Sequence, residues 1–141
     1  ATFEITGVQL EVGSVATDFE HRSFGQEYEL CRRYYQNVII GASDSGLGGT
    51  PYTSNGGIFC PIRFSTVMRA APSVVSSTGS SDFRTRHGDL VNFAGFTGFN
   101  TVSQRGGTLI SDSAGNKVVG DFYWVEGNAG TAVLAVNAEL S

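Results

Sequence analysis

The sequence predicts a mainly β protein, an antiparallel β-sandwich or jelly roll with one α-helix near its N-terminus. Three observations predict it. Glycine supplies 19 of 141 residues while charged residues make up only 16%, a balance that suits strands and turns better than helices. Beyond residue 37, short apolar runs alternate with Gly/Ser/Asn-rich stretches, giving seven or eight strands at sandwich spacing. Before that point lies the only convincing helical periodicity. The length suits one domain with a proper core.

Taken in order, residues 2–12 alternate as a strand through Phe3, Ile5, Val8, Leu10 and Val12, with a phase slip near Gly7 that marks a bulge. Residues 13–20 form a linker. Ser23 then stands where an N-cap belongs, and Gln26 three residues on completes a capping box. Phe24, Tyr28, Cys31 and Tyr35 recur at spacings of four, three and four, so a helix is expected over residues 24–36. Leu30 and Tyr34 widen its apolar face, Glu29 and Arg33 pair on its wet side, and Asn37 stops it. Residues 38–40 begin a buried strand. Residues 42–57 read as a long flexible connection. Residues 58–64 place Ile58, Cys60, Ile62 and Phe64 on one face, and Pro61 confines this strand to an edge or to a non-bonding side. The stretch 68–77 kinks at Pro72 before Val74 and Val75. Residues 84–91 stay polar until Leu90 and Val91. Phe93, Phe96 and Phe99 fit neither period and read as core or subunit contact. Residues 108–110 and 117–119 flank a turn-rich hairpin connection. Residues 121–126 set Phe122 and Trp124 against Tyr123 and Val125, and residues 131–140 close the chain as a strand.

Charge and motifs exclude several functions. The net charge is −4 and the basic residues are scattered, whereas a nucleic-acid partner needs a basic stripe. No apolar run approaches the ~18 residues that span a bilayer, so no membrane insertion is expected. Cys31 and Cys60 leave a pairing open, and the reading favoured is two buried, reduced thiols that pack as small hydrophobes. His21 and His87 have no companions at zinc spacing, and residues 112–116 lack the ordered acids of a calcium loop. No metal and no cofactor are expected. G-x-S-x-G, P-loop and H-E-x-x-H patterns are absent from the sequence. Asp82, Asp89, Asp121 and Glu126 supply carboxylates for glycoside cleavage, but no spacing in the chain pairs them. The expectation is a protein that is not an enzyme.

Residues 8–22 (VQLEVGSVATDFEHR) and 28–36 (YELCRRYYQ) carry a resemblance. Gln9, Leu10, Glu11, Gly13, Ala16, Thr17, Phe19, Glu20 and Arg22, followed by Cys31, Arg33, Tyr34 and Tyr35, resemble the motif of C-terminal domains in bacteriophage tail fibres and tailspikes. Asp18 departs from the proline common there. Residues 68–72 (MRAAP) and the ending Ala138, Glu139 and Leu140 are also similar. The resemblance implies a strand and linker from the preceding fibre segment over residues 1–22, and a terminal β-domain over residues 23–141. It implies the terminal piece of a longer virion protein, located at a fibre tip and assembled in the host cytoplasm. It also implies a homotrimer, whose threefold axis would bury the surplus apolar surface of Phe24, Tyr28, Tyr34 and Tyr35 as oligomer contacts.

The function expected from this resemblance is binding of a host surface receptor, with a glycan as the leading ligand. The alternative is a structural trimerisation or capping domain that leaves recognition to another module. Sugar sites combine an aromatic plate with planar polar groups. The candidates are Tyr52, Asp82, Arg84, Arg86, His87, Tyr123, Trp124 and Asn128. Trp124 suits a sugar plate or a core position equally well, and the run from Asp82 to His87 also suits a solvated strand.

Overall fold

The computed structural model describes residues 8–15, 17–19, 21–52, 56–112, 115 and 117–139. The helix α1 (Phe24–Arg32) begins on the predicted capping box. The Ser23 hydroxyl accepts the Gln26 N–H at 3.3 Å, and the Gln26 carboxamide oxygen accepts the Ser23 N–H at 2.9 Å. It ends at Arg32 rather than residue 36, capped by Arg33. Tyr35 and Gln36 instead join β1 (Tyr35–Ile40), paired with Asn137 and Val136. Gln36 is buried there, and its carboxamide bonds to Arg32 O, Thr66 O and the Ser65 N–H and hydroxyl. These tertiary bonds outweigh another helical turn. No residue of α1 is buried, and Cys31, expected inside, is exposed; Cys60 is the buried thiol.

The remaining strands are β2 (Ser45–Pro51), β3 (Ile58–Arg63), β4 (Ser73–Ser76), β5 (Phe83–His87), β6 (Asp89–Phe93), β7 (Phe96–Ser103), β8 (Gly106–Ser111), β9 (Tyr123–Gly127) and β10 (Val133–Asn137). Mainly antiparallel β structure with one short helix near the N-terminus is therefore what the chain adopts. The described residues form ten strands, more than the expected seven or eight. They make a three-stranded sheet, β1-β10-β4, and a seven-stranded sheet, β6-β5-β9-β2-β3-β8-β7, which curls as a half-barrel. Leu47, Ile58, Phe83, Leu109 and Val125 of the large sheet share one core with Ile39 and Leu134 of the small sheet. Phe93 and Phe96 complete a three-ring cluster with Phe83, with centroids 5.4–5.6 Å apart.

Four expectations are corrected. Residues 42–57 contain β2, because Leu47 is buried and the segment completes ladders with both β9 and β3. The polar run 84–91 is the β5–β6 hairpin, reversed at Gly88, whose φ of 71° an L residue rarely adopts. Residues 117–119 form no strand, since β8 pairs with β3 and β7 while the Lys117 ammonium donates to the buried Thr85 hydroxyl at 2.8 Å. Residues 8–12 form no strand either. Glu11 folds that stretch into a loop by accepting the Thr17 N–H at 2.5 Å and the Thr17 hydroxyl at 2.6 Å. Residues 2–7 of that expected strand lie outside the described residues, as do 113, 114 and 116 of the expected turn. Pro61 behaves as its missing N–H requires: β2 pairs with β3 only at Ile58 and Phe59, so Pro61 interrupts no ladder on that side.

Candidate ligand-binding face

Strand alternation divides the large sheet into two faces. On β5, Phe83 and Thr85 point into the core while Arg84 and Arg86 point out. On β9, Tyr123 and Val125 are buried and Trp124 is 55% exposed. The antiparallel register sets Arg86 opposite Trp124 and Arg84 opposite Glu126. On its other flank Trp124 faces Gly48 of β2. Gly48 is needed there for space. A Cβ added to it would stand 2.8 and 3.0 Å from Cε1 and Cε2 of Phe122, and closer still to Cζ. Phe122 therefore rests on the bare β2 backbone, with its ring perpendicular to the Trp124 indole at 5.4 Å. Half of each ring remains in solvent, so two large apolar surfaces stand open on a rigid sheet.

A charged group adjoins them. Arg84 Nε and Arg86 Nη2 both donate to Glu126 Oε1, the latter at 2.9 Å. Arg84 Nη1 also donates to Asn128 Oδ1 at 3.1 Å, and Asn128 Nδ2 donates to Ser81 O at 2.8 Å. The Arg86 hydrogen bond, with help from Arg84, holds the Glu126 carboxyl below the usual carboxylate range against the opposing effect of burial. Glu126 is therefore a fixed anion that orients two guanidiniums. Its own exposure is 7%, whereas the Arg86 side chain is 54% exposed.

The other expected ligand residues divide. His87 is a brace. Its Nδ1 lies 3.0 Å from Phe122 O and its Nε2 lies 3.3 Å from Asp121 Oδ2, fixing the backbone that carries Phe122. Asp82 is buried, and its carboxylate accepts the Gly79 N–H at 2.9 Å, so it shapes the loop before β5. Tyr123 faces inward, its hydroxyl accepting the Val118 N–H at 3.0 Å under the Lys117 ammonium. Tyr52 is exposed and stacks on Phe59, centroids 4.7 Å apart. Phe59 pairs with Thr50, two residues from Gly48, so this second aromatic pair shares the outer face, two strand spacings or roughly 10 Å across the sheet from Trp124. The face thus unites Tyr52, Arg84, Arg86, Trp124 and Asn128, and leaves Asp82 and Tyr123 beneath it.

Gly48 and the orienting role of Glu126 escaped the sequence reading, and Phe122, placed there on the side of Trp124, was not named as a ligand residue. Phe122 was within reach, because a residue two before Trp124 on an alternating segment shares its side. Phe24 and Tyr28 stack at 6.1 Å on the exposed helix, and the Arg69 guanidinium covers Tyr34 at 5.5 Å. Tyr35 stands exposed at the start of β1. Among the described residues no three His, Cys, Asp or Glu side chains form a metal-binding group, and no helix is long and apolar enough to cross a membrane. Compared with family models, curated proteins and solved structures, the chain matches none.

Proposed function

We propose that this chain is a distal tail-fibre domain that binds a host-surface glycan without cleaving it. The observation that carries this reading is the exposed Phe122–Trp124 pair beside the Arg84–Glu126–Arg86 group. Aromatic faces accept the C–H surface of a sugar ring, and forked donors take its hydroxyls. Binding without cleavage suits Glu126, since a general acid for glycoside hydrolysis needs a raised pKa and this carboxyl is held low. On this reading the two sheets are a jelly-roll-like sandwich at a virion fibre tip, joined to an upstream segment of the same fibre. Three copies would supply avidity from individually weak contacts. Glycan-array and whole-cell binding test it: Trp124→Ala should lose binding while keeping its fold, and equal binding by wild type and variant would overturn it.

One observation favours a second, structural reading. α1 buries none of its residues, and Phe24 and Tyr28 are 85% and 53% exposed beside Leu30, Tyr34 and Tyr35. A nine-residue helix is marginal unless its apolar side is covered, and a homotrimer would cover it. If trimerisation is the domain's main role, Phe24→Ala with Tyr28→Ala disperses the trimer in light-scattering measurements, while Trp124→Ala leaves host binding by an assembled fibre intact. A monomer at micromolar wild-type concentration would refute the trimer.

A further inference from the structure

Arg86 has unused donors. Its Nη2 bonds Glu126 Oε1, and no second partner is formed among the described residues. The strand register places this half-exposed guanidinium directly across from Trp124, where cross-strand Cβ atoms lie about 5 Å apart. The neighbouring charges leave a surplus. Arg84 and Arg86 share the single carboxylate of Glu126, giving this part of the face a net charge of one positive unit. No other acid among the described residues pairs with either guanidinium. Asp121 is engaged by His87, the Asp82 carboxylate is committed to Gly79, and Asp89 stands at the hairpin turn opposite His87.

We infer that the glycan bound at the outer face is anionic, with its carboxylate taken by the free edge of Arg86 while the sugar ring stacks on Trp124. This rests on the glycan-binding reading above and adds its substrate class. Guanidinium and carboxylate are both planar, and a two-bond fork between them fixes orientation as well as charge. Glu126 is essential as a positioner: by accepting from both arginines it holds Arg86 Nη2 at 2.9 Å and leaves the rest of the guanidinium for a ligand. Arg84, bonded to both Glu126 and Asn128 and only 23% exposed in its side chain, braces the group. A phosphate-bearing sugar offers the same fork chemistry, so the test must separate the two anions.

Polygalacturonate, polysialic acid, a phosphomannan, dextran and carboxyl-reduced polygalacturonate serve as probes for the full chain. Binding is expected to polygalacturonate or polysialic acid, to fall at least about tenfold on carboxyl reduction, and to weaken with added salt. Arg86→Gln should remove the preference for the acid over its reduced form, and Arg86→Lys should restore part of the affinity without the fork's selectivity. Unfolding curves establish that these variants fold. Tighter binding to the phosphomannan than to either carboxylated polymer overturns the carboxylate assignment. Binding to dextran and reduced polymer that needs Trp124 but ignores Arg86→Gln overturns the inference and leaves the glycan reading standing. Binding to none of the probes overturns the inference, and silence across a broad glycan array and susceptible cells overturns both.

Discussion

Replacing Gly48 with alanine tests whether the aromatic face depends on a missing side chain. The new Cβ would stand 2.8 Å from Phe122 Cε1 and 3.0 Å from Cε2, with Cζ nearer, whereas carbon atoms pack at about 3.5–4.0 Å. The ring must therefore withdraw by roughly 1 Å or more. It is free to do so, because it is half exposed and the clashing atoms are at its tip. The stability cost is bounded. Phe122 buries about 100 Å², worth up to ~2.5 kcal/mol at ~25 cal/mol per Å², of which only part is lost. Alanine in a strand returns about 0.5–1 kcal/mol relative to glycine. A net loss near ~1 kcal/mol lowers Tm by about 3–5 °C for a domain of this size. Trp124, the only indole in the chain, reports the change directly. Its fluorescence and near-ultraviolet dichroism should shift, Phe122→Ala should reproduce the shift, and ligand binding should weaken in both. An unchanged tryptophan signal would refute the contact. A loss above ~4 kcal/mol would place Gly48 in the load of the core, where large deletions and clashes cost that much.

Other residues make separable predictions. Gln36→Leu strands Arg32 O and Thr66 O beside β1, and should cost about 2 kcal/mol in urea unfolding; a loss under ~0.5 kcal/mol would deny Gln36 its bridging role. Because the folded pKa of Glu126 lies below its unfolded value, its ionised form stabilises the protein above about pH 4.3. That contribution disappears as pH falls through the folded pKa, so Glu126→Gln should flatten the acid limb of the stability profile, and an unchanged limb would contradict the assignment. Burial pushes the Cys60 thiol up to about 12, while Cys31 is exposed. One thiol should react with a disulfide reagent in the native protein and a second only in denaturant; two fast native reactions would show that Cys60 is open to solvent.

Much of this architecture was legible where local pattern and tertiary demand agree. The alternation Phe122, Tyr123, Trp124, Val125 assigned the faces of β9, and the capping box located the start of α1 to the residue. The end of α1 was not legible. Tyr35 satisfies a helical spacing and a strand equally, and a pairing with Asn137, distant in sequence, decides between them. β2 was hidden for a different reason. Its segment SGLGGTP reads as a loop by composition, yet Gly48 and Gly49 are there because Phe122 and the β3 backbone occupy the space above them. The site shows the same division. Arg84, Arg86 and Trp124 were recognisable as candidates, but the carboxylate that joins the two arginines lies 42 residues from Arg84. A register, not a spacing, brings them together.

The division of the large sheet into an inward and an outward set also bears on how such a surface can change over generations. Arg84, Arg86 and Trp124 alternate with Phe83, Thr85 and Val125, so each recognition position is covalently adjacent to a core position yet lies outside the core itself. Outward positions on a paired strand accept replacement with little penalty, whereas their inward neighbours do not. The same backbone is thus able to display a different set of side chains without a new core having to be found. Gly48 and Glu126 are the exceptions, outward sites where a replacement would alter its neighbours instead of only adding a feature. Variation should therefore run along the outward positions of β5 and β9 other than Glu126, and halt where β2 passes beneath the ring.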